Sequence, residues 1–105
     1  MSDAKDKTAA LLATLWVRIR PIVEERLAAL DQASAAATSG SLTDEGRAAA
    51  ASCAHKLAGS LGMYGYDEGT RVAREIEVLM DGVAPDPARL RILVEELRET
   101  VLPKS

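Results

Sequence analysis

Phenylalanine is missing altogether, and one tryptophan with two tyrosines brings the aromatic share of the 105 residues to only 3%. Hydrophobic residues nevertheless make up 48% of the chain, so the core must be aliphatic and rich in alanine and leucine. That composition favours close-packed helices over a sheet. The lone Cys53 excludes an internal disulfide and cannot by itself build a zinc site. No run approaches the ~20 apolar residues of a membrane span, and Met1 to Thr8 is charged and polar where a secretory leader would be apolar. The cytoplasm is therefore the expected compartment. Clustered Lys and Arg are also lacking, and a net charge of −3 argues against nucleic acid as the main partner. Arg18, Arg20 and Arg26 are interleaved with Glu24 and Glu25, the pattern of a solvated face. Ser41 to Gly46 lacks the glycine spacing and lysine of a phosphate-binding loop, and no ATP-binding motif is present.

What is there reads as helices. Apolar positions Leu11, Leu12, Leu15, Trp16, Ile19, Ile22, Val23, Leu27 and Leu30 recur at three- and four-residue steps, after a cap at Ser2 or Asp3. Pro21 interrupts them, which predicts a short leading helix to about Arg20 and a longer one continuing to about Ala37. Trp16 reads as a core residue or a lid over the end of a bundle. Thr38 to Leu42 is a turn, and Thr43 caps the next helix, with Asp44 and Glu45 favourable to its dipole. Gly65 suits a left-handed C-cap, and Asp67 is the expected N-cap of a helix whose buried stripe is Val72, Ala73, Ile76, Leu79 and Met80. After a break over Asp81 to Pro85, Asp86 and Pro87 form an N-cap and first-turn pair. Leu90, Leu93, Val94, Leu97 and Val101 then carry the last helix, which stops before Pro103. The expectation is an all-α, antiparallel, up-and-down four-helix bundle with a short leading N-terminal helix. With no internal repeat, residues 1–105 form one domain, and the initiating Met1 favours a stand-alone protein over a piece of a hybrid kinase.

The stretch from Ala54 to Tyr66 organises the rest. It holds the only histidine and three of the seven glycines. On a helix, Cys53, Leu57, Leu61 and Tyr64 line a core-facing stripe with Ala50 and Ala54, and His55 falls on the other side. Around His55 stand Ala51, Ser52, Ala58, Gly59 and Gly62, with nothing long enough to cover the imidazole. Glycine inside a helix costs about 1 kcal/mol relative to alanine, so Gly59 and Gly62 suggest close approach by another backbone.

The string His55-Lys56-Leu57-Ala58-Gly59-Ser60-Leu61-Gly62-Met63-Tyr64-Gly65 resembles the signature of histidine phosphotransfer (HPt) domains. That family has leucine at +2 from the histidine, glycine at +4, serine at +5 and glycine at +10, here Leu57, Gly59, Ser60 and Gly65. Arg74-Glu75-Ile76-Glu77 matches the helix that follows in the subfamily resembled. The resemblance implies that His55 is phosphorylated, taking a phosphoryl group from the receiver aspartate of a response regulator or hybrid histidine kinase and passing it to another receiver. A neutral imidazole keeps a lone pair on one nitrogen and can attack phosphorus without a strong base. The resemblance further implies that the receiver brings the Asp, the Mg²⁺ and a lysine, that this chain needs no cofactor, and that it is a carrier and not a kinase. A monomer is expected. Ser52, Ala58, Gly59 and Gly62 are then the binding surface. Many members carry lysine at +3, where this chain has Ala58. Lys56, about 100° round the helix, is the expected phosphate contact, preferred to Ser60 because Ser60 falls towards the bundle. Two rival readings are a helical adaptor that binds receiver or kinase domains without phosphotransfer, and an axial haem ligand. The second wants an apolar cavity, whereas His55 lies opposite the apolar stripe.

Overall fold

The computed structural model describes residues 3–82 and 85–102. Four helices make up the fold: α1 (Asp3–Thr38), α2 (Asp44–Met63), α3 (Asp67–Met80) and α4 (Pro87–Val101). Among the described residues there is no strand. Each helix packs on its neighbours in sequence, and α1 closes the ring against α4, while the diagonal pairs make no close backbone approach among the described residues. Short connections force consecutive helices to run antiparallel, so the bundle is of the up-and-down kind expected. Val23, Leu27, Leu30, Leu57, Leu61, Ile76, Leu90 and Leu97 are fully buried at its centre. Truncating any of these leucines to alanine costs about 2–5 kcal/mol, because the close-packed surroundings cannot collapse into the gap.

The separate leading helix is a correction. Residues on both sides of Pro21 belong to one helix of 36 residues. The proline deprives only the Val17 carbonyl of its helical donor, and Val17 is 71% exposed, so water can take that place. Arg20 Nε donates to Glu24 Oε1 at 3.0 Å across the proline, and Trp16 and Ile19 pack against the core, which holds the two halves on one axis. At 1.5 Å per residue α1 is about 54 Å long. It alone accounts for the 53 Å long axis of the molecule, and its first turns extend past the other three helices.

The helix ends follow local chemistry. Gly40 and Gly65 have φ of +75° and +83° and terminate α1 and α2. At the second, Tyr66 N–H donates to the Leu61 carbonyl at 2.9 Å and Gly65 N–H to Gly62 at 3.3 Å, the paired bonds of a Schellman motif. Thr43 Oγ1 accepts from Gly46 N–H at 2.9 Å, and Asp86 Oδ1 from Ala88 N–H at 3.0 Å, with Pro87 opening α4. Asp67 departs from expectation. It is the first helical residue of α3, preceded by Tyr66 as an N-cap without a side-chain bond, so it acts with Glu68 on the helix dipole instead. The Ser2 cap and the Pro103 stop lie outside the described residues, as do Val83 and Ala84 of the break before α4.

Trp16 proves to be a lid. It lies edge-on to Tyr64 with ring centroids 5.6 Å apart, and tilted against Tyr66 at 4.7 Å. All three aromatics of the chain thus meet at one end of the bundle, half-buried over the end of α2.

Candidate functional site

The register of α2 on α3 sets the site. Arg47 Nη1, near the start of α2, donates to the Met80 carbonyl at the end of α3 at 2.7 Å, a cation on the negative end of a helix dipole. Further along, Thr70 Oγ1 donates to the Ala58 carbonyl at 3.1 Å. Between these contacts His55 Nδ1 lies 3.0 Å from Glu77 Oε2. The imidazole is therefore not without a neighbour, as the small residues around it led one to expect: a carboxylate from the next helix reaches it. The ring nevertheless stays open, its side chain 74% exposed against 29% for Glu77.

That geometry assigns the two ring nitrogens different tasks. Glu77 is an acceptor, so the proton belongs on Nδ1, and the Nε2 lone pair is left facing outwards. A half-buried carboxylate beside an exposed ring also fixes the ring's orientation without sealing it.

The other expected site residues divide. Ser52, Lys56, Gly59 and Gly62 are exposed beside His55. Ala58 is not. It is 4% exposed, packed under the α2–α3 contact, and no partner can touch its side chain. The reason is angular: Ala58 lies one step round the helix from His55 towards the core, on the flank where Thr70 meets α2. The glycines differ too. A methyl group at Gly59 would meet nothing within 4 Å, whereas at Gly62 it would come 3.4 Å from Thr70 Oγ1. Gly59 thus opens on solvent, and Gly62 abuts α3.

Ser60 is half-buried and faces α1, where its hydroxyl accepts a long 3.5 Å bond from Arg26 Nη1. Cys53 Sγ donates to the Arg26 carbonyl at 3.4 Å. Burial pushes its thiol up despite the opposing charges of Arg26 and Lys56, the state of an unreactive cysteine. Among the described residues no group of three or more His, Cys, Asp or Glu side chains could hold a metal ion, and no helix is long and apolar enough to cross a membrane.

A groove of about 700 Å³ on the outer side of α3 and α4, lined by Arg71, Arg74, Val78, Arg89 and Leu93, includes no residue of α2. His55 does not line this groove, and its side chain, 74% exposed, is open to a protein partner instead of enclosed around a small substrate. Glu77 is the residue that sequence reasoning missed as part of this site. In the sequence it stands out only as the end of the Arg74 to Glu77 match, and pairing it with His55 needs the register of two helices.

Comparison with known proteins agrees in kind with this geometry. The chain matches the family model described as the Hpt domain over residues 17–101, a span that takes in all of α2, α3 and α4 and most of α1. It is also similar to Protein RcaC of Microchaete diplosiphon, 31% identical over 81 residues, which are 77% of this chain and 12% of that protein. No solved structure matches.

Proposed function

The chain belongs to the Hpt domain family, whose members act in phosphotransfer within two-component relays, and from that premise we propose that His55 accepts a phosphoryl group from the receiver aspartate of a response regulator or hybrid kinase and passes it to another receiver. The observation that carries the reading is the pairing of an exposed imidazole with Glu77 through Nδ1 at 3.0 Å.

In the forward step the Nε2 lone pair attacks phosphorus in line with the aspartyl oxygen. The N–P bond forms as the P–O bond breaks, and the aspartate leaves as a carboxylate with the bonding pair. No proton has to move. Nδ1 keeps its hydrogen, and the positive charge that develops on the ring lies against the Glu77 carboxylate, which favours the product. The return step reverses these bonds with the carboxylate of a second receiver as nucleophile. Charge on the transferring group is neutralised by the receiver's Mg²⁺ and lysine, while this chain supplies an oriented nucleophile and an approachable surface. Ser52, Gly59 and Gly62 form that surface, and Lys56 stands at its edge. The domain comprises residues 1–105 and works as a monomer in the cytoplasm.

The test is transfer from a ³²P-labelled receiver to the purified protein. Acid-labile, alkali-stable label is expected on the wild type and none on His55→Gln, with equal helicity by circular dichroism. Label persisting on the variant would remove His55 from its role. A wild-type protein that binds the receiver and takes no label would be an adaptor.

A further inference from the structure

His55 needs a cation nearby once it is phosphorylated, and its own helix offers none on the side it faces. Ala58 is buried, and Lys56 lies about 100° round α2, on the side of Ser60 and α1. The imidazole leans the other way, towards α3, as its bond to Glu77 requires. The cation nearest in register on that helix is Arg74. Thr70 and Glu77 are both fixed to α2, the first through the Ala58 carbonyl and the second through His55. Arg74 follows Thr70 by four residues and precedes Glu77 by three, so it shares their flank, level with Ala58 in the antiparallel pair.

Its surroundings differ from those of the other α3 arginine. Arg71 is held by Glu68, Glu75 and Glu96. Arg74 is exposed and has no hydrogen bond or ion pair among the described residues. Its side chain lines the α3–α4 groove together with Thr70, the lining residue that bonds α2. An unpartnered guanidinium is a two-pronged donor matched to phosphate oxygens.

We propose that Arg74 is the phosphate-contacting cation of this carrier: its guanidinium swings across α3 to bond the phosphoryl oxygens on His55 Nε2. The inference rests on the carrier reading above. Arg74 forms no covalent bond and moves no proton. It donates N–H groups to oxygens whose negative charge would otherwise face Glu77, and so favours the phosphorylated form.

The experiment labels wild type, Arg74→Ala, Arg74→Lys and Arg71→Ala from a phosphorylated receiver and then follows the phosphohistidine by ³¹P NMR across pH. Arg74→Ala is expected to slow transfer by about tenfold, the worth of one charge-assisted hydrogen bond, with Arg74→Lys recovering part of it. The ³¹P resonance should titrate at lower pH in the wild type than in Arg74→Ala, because a bound cation favours the dianion. Arg71→Ala should match the wild type in both. Equal rates and titrations for wild type and Arg74→Ala would overturn this inference alone. Slower transfer with an unchanged titration would overturn it as well, by moving Arg74 from the phosphate to the partner's surface. Absence of any label on the wild type would overturn the carrier reading and this one together.

Discussion

The two sides of α3 handle charge in opposite ways. Facing α4, Arg71 is bonded to Glu68, Glu75 and Glu96, and Arg89 lies 3.5 Å from Glu75, so the charges of that side are satisfied within the molecule. Towards α2, one carboxylate meets one imidazole, Arg74 in the groove lining has no partner among the described residues, and Ser52, Lys56, Gly59 and Gly62 lie exposed beside them. Exposed ion pairs contribute little to stability, so the first side gains mainly a surface with no net demand for a partner. The second leaves its demand open. On the proposed reading, function sits where groups remain unpaired, a distinction that a count of charged residues along α3 would not make.

If the α2 side is where a partner docks, bulk at Gly59 is the sharpest way to break the comparison. Gly59→Glu is expected to slow transfer from a receiver by about a hundredfold, since small misplacements of reacting groups cost that much. Its melting temperature should not fall, because the added side chain meets open space and a helical glycine has been replaced. Gly59→Ala should raise stability by about 1 kcal/mol in chemical denaturation. Unfolding of either variant would make Gly59 a packing residue and erase the distinction drawn between the two sides.

Glu77 sharpens the comparison at smaller amplitude. Glu77→Ala is expected to slow single-turnover transfer by about tenfold, as the ring loses both its orientation and the carboxylate that opposes its developing charge. Glu77→Gln, which retains an acceptor oxygen for Nδ1–H, should fall between the two. ¹⁵N chemical shifts of the imidazole give an independent check. They should report Nδ1–H as the neutral tautomer in the wild type and a mixture in Glu77→Ala. The same tautomer ratio in both proteins would reduce Glu77 to a bystander.

Much of this was legible in the sequence, and the reason is local chemistry. Gly65, Thr43 and the Asp86–Pro87 pair announce helix ends through bonds made within a few residues of themselves, and the apolar stripes of α3 and α4 follow from their periodicity. Pro21 misled because the cost of a helical proline depends on which way the orphaned carbonyl faces, and that is a property of the whole bundle. Asp67 failed by one position, within the fraying of any helix start. Ala58 and Glu77 failed for a deeper reason: whether a residue one step from His55 faces solvent or a neighbouring helix is decided by the register of α2 on α3. That register is set by contacts such as Arg47 with Met80 and Thr70 with Ala58, between residues far apart in the chain.

The smallest effect belongs to the satisfied side, and acid reveals it. The hydrogen bond from Arg71 holds the Glu68 carboxyl below the usual carboxylate range, and the same bond, with the charges of Glu68, Glu75 and Glu96, holds the Arg71 guanidinium still more firmly protonated. Between the folded and unfolded values of Glu68 the unfolded chain binds more protons than the folded one, so stability rises with pH across that window. The contribution is complete above the ordinary glutamate range and is lost as pH falls through the depressed folded value. Arg71→Ala should therefore lower stability slightly near neutral pH, flatten its dependence on pH in the acid limb, and leave transfer to His55 unchanged. Solvent exposure and salt both shrink the stability term, so it should fade further in molar salt. A variant that retained the full acid slope would mean that the carboxylates around Arg71 do not depend on it. One that slowed transfer would mean that the outer side of α3 takes part in the reaction.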